Sequence, residues 1–286
     1  MVGDRMTTIE VAREAGACYG VERALQLAID AARDAEGPVH TLGPLIHNPV
    51  VVSELEAEGV TVVDNPAVGR GATLLLRTHG VTPAVEAAAR KSGAAVLDAT
   101  CPFVKKVHRA IERLAKDGYQ PIIVGEAGHP EVEGTLGHAP EALVIGSAAE
   151  LASVEVGKRV GVVVQTTMAK AVLDEVVVAL LGRADEVRVL NTICSATSER
   201  QSAAAELAAR ADVMVVIGGR SSANTTHLAQ ICADVCASTH HIERADELER
   251  AWFEGAQLVG VTAGASTPRS QIDEVVEALG ALTSAY

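Results

Sequence analysis

The stretch AAVLDATC (94–101), followed directly by PFVKKVHRAIERLAKDG (102–118), places Cys101 between a short apolar run and a pattern typical of an amphipathic helix. The same order occurs at TIEVAREAGAC (8–18) with YGVERALQLAIDAARDA, and at VRVLNTIC (187–194) with SATSERQSAAAELAARA. Cys18, Cys101 and Cys194 therefore each precede an expected helix. A helix N-terminus favours thiolate over thiol, and thiolate is the form that binds soft metals. The pattern predicts three related thirds whose thiolates bind iron.

The composition predicts a globular protein of the cytoplasm. Hydrophobic residues make up 48% of the 286 residues but aromatic residues only 2%, so aliphatic side chains must fill the core and base stacking is disfavoured. The formal net charge of −13 opposes binding to nucleic acid or anionic membranes. No apolar run reaches the roughly 20 residues of a membrane span, and the N-terminus has no apolar signal region. The five cysteines are therefore expected to be reduced.

β-branched runs alternate with amphipathic stretches along the chain, which is typical of parallel α/β units joined by crossover helices. The predicted strands are PVHTLG, ATLLLRTHG, AAVLDATC, QPIIVGEAG, ALVIG, RVGVVVQTT, EVRVLNT, DVMVVIGG, STHHIE and QLVGVTAG. Polar loops that contain glycine or threonine follow several of them, as in GEAGHPEVEGT, QTTMAKAV and GGRSSANTTHL. Ligands of open parallel sheets bind at the carboxyl ends of strands, beside helix N-termini that suit anions. We therefore expect an anionic ligand at these loops.

Nine segments together carry a resemblance to a known family. They are AGACYGVERA, LGPLIHNPVVV, THGV, DATCPFVKKVH, GHPEVEGTLG, QTT, ICSATSERQ, SSANT and GVTAGAS. In this order, and at about this spacing, they resemble the IspH/LytB family, the 4-hydroxy-3-methylbut-2-enyl diphosphate reductases of the non-mevalonate (MEP) isoprenoid pathway. The match extends over nearly the whole chain.

The resemblance implies an α/β fold of three pseudo-threefold-related domains with parallel sheets around a central iron–sulfur cluster. We place the domains at residues 18–100, 101–191 and 192–286, with an N-terminal strand in residues 1–17 joining the third. The family removes the allylic hydroxyl of its substrate reductively and gives isopentenyl and dimethylallyl diphosphate. Electrons come from a ferredoxin or flavodoxin. The implied cofactor is a [4Fe-4S] cluster with three cysteine ligands and one open iron.

The resemblance also assigns roles to particular side chains. Cys18, Cys101 and Cys194 match the cluster ligands, and Glu131 and Thr166 match the catalytic residues that deliver and relay protons. The residues expected to bind the substrate are His47, His79, His129, Thr166, Thr167, Ser222, Asn224 and Ser266.

Some of these residues have alternatives. Glu133 lies two residues after Glu131, and an extended loop would place both carboxyl groups on the same side. Thr166 and Thr167 follow a strand-like run, and Thr166 would also suit a helix N-cap, a role that can hold together with substrate binding. Ala223 stands where many family members carry a serine, so we expect backbone N–H groups to replace a hydroxyl contact and the affinity to change more than the reaction.

Other features leave the function open to further hypotheses. Cys232 and Cys236 form C-x3-C on one face of a predicted helix. Tetrahedral metal motifs usually carry tight C-x2-C pairs from turns, so we expect core thiols and not a second metal site. Lys105 and Lys106 follow Cys101 and would attract an acidic electron carrier, although a solvated helix face is the commoner explanation. The alternative function is a non-catalytic iron–sulfur or zinc regulator on the same scaffold. A dinucleotide enzyme is disfavoured because the GxGxxG fingerprint is absent from the sequence.

Overall fold

The computed structural model describes residues 7–284. The strands are β1 (Thr8–Val11), β2 (Val39–Leu42), β3 (Val60–Val63), β4 (Thr73–Leu76), β5 (Ala95–Asp98), β6 (Gln120–Val124), β7 (Leu143–Ile145), β8 (Arg159–Val164), β9 (Glu186–Val189), β10 (Val213–Ile217), β11 (Thr239–Ile242) and β12 (Leu258–Ala263). The helices are α1 (Tyr19–Asp34), α2 (Pro49–Ala57), α3 (Pro83–Lys91), α4 (Pro102–Lys116), α5 (Pro130–Leu136), α6 (Ala148–Leu151), α7 (Lys170–Leu181), α8 (Ser195–Ala208), α9 (Ala223–Ala233) and α10 (Arg269–Thr283). Two short 3₁₀ helices span Ala245–Glu247 and Arg250–Phe253.

The described chain forms two compact units. The first unit comprises the chain up to Cys18, His47–Val51 and the chain from Ser195 onward. It contains one parallel sheet of order β1-β12-β10-β11. The central strands β10 and β12 are almost completely buried, as expected for a parallel sheet that is covered on both faces.

The second unit comprises Tyr19–Ile46 and Val52–Cys194. It contains two parallel four-stranded sheets, of orders β3-β2-β4-β5 and β7-β6-β8-β9. Crossover helices connect the parallel strands, and α4 has a strongly amphipathic pattern that buries Val104, Val107, Ile111 and Leu114. Among residues 7–284, no helix is both long enough and apolar enough to cross a membrane.

The predicted α/β class with parallel sheets is confirmed, whereas some predicted elements are wrong. Strand β3 was not predicted, because its short run VTVV lies at a sheet edge between polar turns. The segment GHPEVEGT was predicted as a loop but contains α5, whose first residue is Pro130. Proline suits this position because its missing N–H has no partner within a helix. The predicted domain limits and pseudo-threefold arrangement stay predictions, and the first six residues of the predicted N-terminal segment lie outside the described residues.

Two glycines allow helices to pack closely on central strands. A Cβ atom on Gly161 of β8 would lie 2.8 Å from Leu114 Cδ2 and 3.0 Å from Leu114 Cβ of α4. A Cβ atom on Gly260 of β12 would lie 2.9 Å from Leu207 Cγ of α8. The absence of a side chain at each position therefore sets the distance between sheet and helix.

We predict that Gly161→Ala lowers the free energy of unfolding by about 1–3 kcal/mol, because Leu114 is completely buried and has little room to move. Gly280→Ala in α10 is the matched control, since a Cβ atom there meets no neighbouring atom of the described residues within 4 Å. This control is expected to raise the free energy of unfolding by about 0.5–1 kcal/mol. Denaturant unfolding of the metal-free protein measures both, and equal effects of the two substitutions would contradict the packing argument.

Candidate functional site

Three partly exposed cysteines stand immediately before helices. Cys18 precedes α1, Cys101 is the N-cap residue of α4, and Cys194 precedes α8. Each cysteine is also held by its backbone at the carboxyl end of a neighbouring strand. The N–H of Cys18 donates to Ala265 O (3.1 Å), in the first unit. In the second unit, the N–H of Cys101 donates to Thr78 O (2.9 Å) and that of Cys194 to Thr166 O (3.2 Å).

The remaining two cysteines are core thiols, as predicted. Cys232 and Cys236 are buried among aliphatic side chains of the first unit. Burial, together with the neighbouring Cys236, raises the pKa of Cys232 to about 12, so its thiol stays protonated. Helix α9 ends at Ala233, so the prediction that one helix carries both thiols is wrong.

Glu131 is a buried carboxyl group on the first turn of α5, only 2% exposed. Both of its oxygens accept hydrogen bonds from Thr166, which follows β8. The N–H of Thr166 donates to Oε1 and its hydroxyl donates to Oε2, each at 2.7 Å. The two residues predicted to be catalytic are therefore in direct contact. Glu133 is exposed on the other side of α5, so the extended-loop alternative is wrong.

Burial controls the protonation of Glu131. Desolvation raises its pKa from 4.5 to about 7, although the two hydrogen bonds from Thr166 oppose the shift. Near neutral pH a large fraction of the group is therefore the carboxylic acid. In that form Oε2 donates its proton to the Thr166 hydroxyl oxygen, and the hydroxyl hydrogen is then available to another acceptor.

His129 is the N-cap residue of α5 and lies beside His79. Its Nδ1 accepts a hydrogen bond from the N–H of Glu131 (3.1 Å), so in the neutral ring Nε2 carries the hydrogen. The rings of His129 and His79 meet edge to face, with centroids 5.6 Å apart. The second unit thus brings together His79, His129, Glu131 and Thr166.

Thr166 and Thr167 are not helix caps. Helix α7 begins at Lys170 with Ala169 as its N-cap residue, so the capping alternative for Thr166 is wrong. The hydroxyl oxygen of Thr167 accepts a hydrogen bond from Gln165 Nε2 (3.0 Å). The two hydroxyl groups therefore have different partners, Glu131 for Thr166 and Gln165 for Thr167.

The first unit groups other predicted site residues. The hydroxyl of Ser266 donates to His47 O (3.1 Å), and Asn48 Nδ2 donates to Ser266 O (2.8 Å). Close approach of the next loop requires glycine, because a Cβ atom on Gly219 would lie 2.6 Å from His47 O. His47, Ser266 and the loop that leads to Ser222 are therefore neighbours in the first unit.

Ser222 and Asn224 stand at the N-terminus of α9. The Ser222 hydroxyl oxygen caps the helix by accepting from the N–H of Thr225 (3.3 Å). The Nδ2 group of Asn224 is buried and, within residues 7–284, has no hydrogen-bond partner. An unsatisfied buried amide donor is costly, so its position beside a helix N-terminus favours an anionic ligand.

Two supporting residues were missed from the sequence. Gln165 is 1% exposed, and its Oε1 accepts from the N–H of Glu126 (2.9 Å) while its Nε2 bonds Thr167. Asn48, also 1% exposed, accepts from the N–H of Val50 (3.1 Å) and holds Ser266. Asparagine before proline at the start of a helix is an N-cap signal, and this is the feature of the sequence that points to a structural role for Asn48.

These features are typical of one class of protein. Partly exposed thiols at helix starts suit metal ligation, a carboxylic acid that titrates near neutral pH suits proton transfer, and buried donors at a helix N-terminus suit an anion. Together they indicate an α/β metalloenzyme.

Comparisons with known proteins identify the family. The family model described as LytB protein matches residues 9–280. The 4-hydroxy-3-methylbut-2-enyl diphosphate reductase of Geobacter sulfurreducens is 49% identical over 271 residues, which cover 94% of this chain and 95% of the relative. A solved structure of (E)-4-hydroxy-3-methyl-but-2-enyl diphosphate reductase, the terminal enzyme of the non-mevalonate pathway, is 42% identical with a TM-score of 0.72, covering 96% of this chain and 99% of that one.

A second solved structure, the E-1-hydroxy-2-methyl-but-2-enyl-4-diphosphate reductase from Plasmodium falciparum, is 26% identical with a TM-score of 0.91, covering 95% of this chain and 87% of that one. The chain belongs to the LytB protein family, and the resemblance found in its sequence is confirmed. Members of this family use an iron–sulfur cluster. The roles of the individual site residues stay predictions.

We predict that Glu131→Gln stabilises the metal-free protein at high pH. Because the folded-state pKa is raised from 4.5 to about 7, the folded state binds the proton more tightly than the unfolded state does. The free energy of unfolding therefore falls as pH rises from the unfolded-state pKa to the folded-state pKa. Above the folded-state pKa the total loss is on the order of 3 kcal/mol. Glutamine stays neutral and still accepts from the N–H of Thr166.

Denaturant unfolding at pH 5 and pH 8 measures this effect. Glu131→Gln should exceed the wild type in free energy of unfolding by more at pH 8 than at pH 5. The exposed Glu133→Gln should change the free energy of unfolding by the same small amount at both pH values. If Glu131→Gln changes the free energy of unfolding by the same amount at both pH values, burial does not destabilise the charged carboxylate of Glu131.

Proposed function

We infer that this chain catalyses the reductive dehydroxylation of (E)-4-hydroxy-3-methylbut-2-enyl diphosphate to isopentenyl and dimethylallyl diphosphate in the non-mevalonate (MEP) pathway. Membership of the LytB protein family and the activity of the relatives that match nearly the whole chain support this function. The chain is an oxidoreductase of isoprenoid biosynthesis. In this reaction the substrate receives two electrons and two protons, its allylic C–O bond breaks, and the oxygen leaves as water.

The observation that carries the mechanism is the buried pair of Glu131 and Thr166. Reduction of an allylic alcohol needs a proton for the leaving oxygen and a proton for the carbon chain. A carboxyl group whose pKa is about 7 is protonated often enough to donate and acidic enough to do so readily. We propose that Glu131 is the proton source and that the Thr166 hydroxyl relays the proton to the substrate. Protonation at either end of the allyl system accounts for two products.

Cys18, Cys101 and Cys194 are the proposed ligands of a [4Fe-4S] cluster. Three thiolates satisfy three irons of such a cluster and leave the fourth open, and the cysteines available at helix N-termini fit this requirement. Cys232 and Cys236 do not fit, because their thiols are buried in the core and Cys232 resists ionisation. When bound, the cluster supplies electrons one at a time.

The diphosphate is proposed to bind to hydrogen-bond donors at loop ends. His47, His79, His129, Thr167, Ser222, Asn224 and Ser266 are the proposed binding residues. Asn224 contributes a buried amide donor that lacks a partner within residues 7–284, and His129 presents Nε2–H because its Nδ1 is already an acceptor. Donors of this kind bind phosphate oxygens in partly buried sites.

We propose that a ferredoxin or flavodoxin docks on the exposed surface of α4 near Cys101. Lys106 and Arg109 are exposed there, and Lys106 Nζ lies 4.7 Å from the Phe103 ring centroid. Lys105 instead forms an ion pair with Asp98. The helical rise places Lys106 about 8 Å along the axis from Cys101, so a carrier docked on this surface would lie close to the segment that holds this cysteine. Attraction by these cations offsets the overall charge of −13.

No observation on the described residues favours the alternative of a non-catalytic regulator. A regulator that only binds a metal has no use for a buried acid held in contact with Thr166. The proposed cellular location is the cytoplasm, where reduced thiols and small electron carriers are available.

Anaerobic turnover of the hydroxy-diphosphate by the iron-reconstituted protein with a chemical reductant tests the reaction. We expect Glu131→Gln to lower kcat by about 10²-fold or more, because the amide cannot donate an acidic proton. Thr166→Val should also lower kcat, while the exposed Glu133→Gln should keep the kcat of the wild type. A cluster-loaded wild type without turnover would overturn the proposed reaction, and an active Glu131→Gln would overturn the proton source.

A charge-reversed variant tests the carrier surface. In Lys106→Glu/Arg109→Glu, we expect the rate with a reduced ferredoxin or flavodoxin to fall about tenfold or more at low ionic strength. The rate with a viologen reductant should stay near that of the wild type, because a small reductant does not use the surface. Arg33→Glu/Arg90→Glu, on α1 and α3, is the control because it changes the net charge by the same amount at exposed positions. Equal carrier-supported rates in both variants would place the docking surface elsewhere.

A further inference from the structure

An arginine holds the chain segment that leads into Cys101. Arg23 lies on α1, and its guanidinium donates to three successive backbone carbonyls in the second unit. Nη2 donates to Asp98 O (3.1 Å), and Nη1 donates to Ala99 O and Thr100 O, both at 3.5 Å. These are the three carbonyls immediately before Cys101. The planar guanidinium has enough donors for all three, which a lysine ammonium on a single flexible stem does not reproduce.

A second arginine holds the segment that leads into Cys18. Arg200 lies on α8 and is only 4% exposed, and its Nη2 donates to Gly16 O (2.7 Å) in the first unit. Its Nη1 donates to Ala196 O (3.1 Å) of the same helix, which fixes the guanidinium plane. Gly16 has φ +108°, and a Cβ atom on it would lie 2.9 Å from Ile272 Cδ1. The backbone before Cys18 therefore has little freedom.

The two contacts follow one rule along the chain. The helix that begins after Cys18 carries Arg23, which holds the segment before Cys101. The helix that begins after Cys194 carries Arg200, which holds the segment before Cys18.

The segment before Cys194 is held by its own side chains. Thr192 exchanges hydrogen bonds with the backbone of Val164, and Asn191 Oδ1 accepts from the N–H of Ile193 (3.1 Å). The segments before Cys18 and Cys101 are thus fixed by arginines of helices, and the segment before Cys194 is fixed by its own side chains.

We propose that Arg23 and Arg200 are positioning residues for the cysteine ligands, and that their positive charges, held at the segments before Cys101 and Cys18, favour the reduced form of a cluster bound by these cysteines. This inference rests on the proposed three-cysteine cluster. Backbone partners fix where each thiol points, as residues behind metal ligands do in other metal sites. A nearby cation favours the reduced, more negative cluster, so its removal lowers the midpoint potential. Arg23→Lys retains the positive charge but not the planar guanidinium that bonds several carbonyls. This variant therefore separates the effect of charge from the effect of positioning.

Hydrogen exchange of the metal-free protein tests the positioning directly. Arg23→Met should speed exchange in residues 98–101 without changing residues 15–18, and Arg200→Met should give the reverse pattern. Arg33→Met is the matched control for Arg23, because Arg33 lies on the same helix but its ion-pair partners among residues 7–284 are the exposed Asp30 and Asp34. Arg23→Lys and Arg200→Lys are measured in the same way. If a methionine variant does not fold, the lysine variant at that position should show the same faster exchange in the same segment. If the hydrogen-exchange rates of residues 98–101 and 15–18 in the Arg23 and Arg200 variants equal those of Arg33→Met, the inference is wrong.

The reconstituted protein supplies the second readout. Iron content and turnover of the wild type are measured first, so that failure of the proposed cofactor or reaction is seen there and not in the arginine variants. We then expect Arg23→Met and Arg200→Met to release iron to a chelator about tenfold faster or more than the wild type. Their midpoint potentials should fall below that of Arg33→Met, while Arg23→Lys should release iron faster at a nearly unchanged potential. Release rates and potentials equal to those of the control would overturn the inference.

Discussion

The burial of one carboxyl group imposes the tightest requirement on the second unit. Glu131 is kept from water, which destabilises its charged form, and Thr166 offers both a backbone and a side-chain donor to it. These opposing effects place its pKa near 7 and not at either extreme. The position of the acid must therefore be fixed closely, because a shift that lost either hydrogen bond would change its protonation.

The parallel sheet provides that accuracy. Strands β6 and β8 pair in register from Gln120↔Val160 to Val124↔Val164, so both end at the same edge of the sheet. Gly125 follows β6, and a Cβ atom there would lie 2.8 Å from Val132 Cγ2 and 2.9 Å from Gln165 Oε1. Glycine at this position allows α5 and the segment after β8 to approach each other. The acid and its hydroxyl partner thus meet because two strands end together and the residue between them has no side chain.

Much of this arrangement was predictable from the sequence, and the exceptions have physical reasons. Alternating patterns gave the parallel α/β class, and the cysteine-to-helix junctions gave the candidate ligands. Helix α5 was missed because a seven-residue segment with proline and glycine has too few turns to show helical periodicity. The contact between Glu131 and Thr166, which are 35 residues apart, depends on sheet register and not on local pattern. Local propensity also suggested Thr166 as a helix cap, but the helix begins four residues later, at Lys170.

The departure at Ala223 shows how the same physics tolerates a change in sequence. Ala223 is the first residue of α9, where backbone N–H groups have no partner within the helix. Ser222 satisfies the N–H of Thr225, while the Nδ2 group of Asn224 lacks a partner within the described residues. An anion at this end of α9 would meet the helix N-terminus and an amide side chain even without a hydroxyl at position 223. Because the reacting part of the substrate is proposed to lie at Glu131 and Thr166, a weaker contact here would alter affinity and leave proton transfer in place.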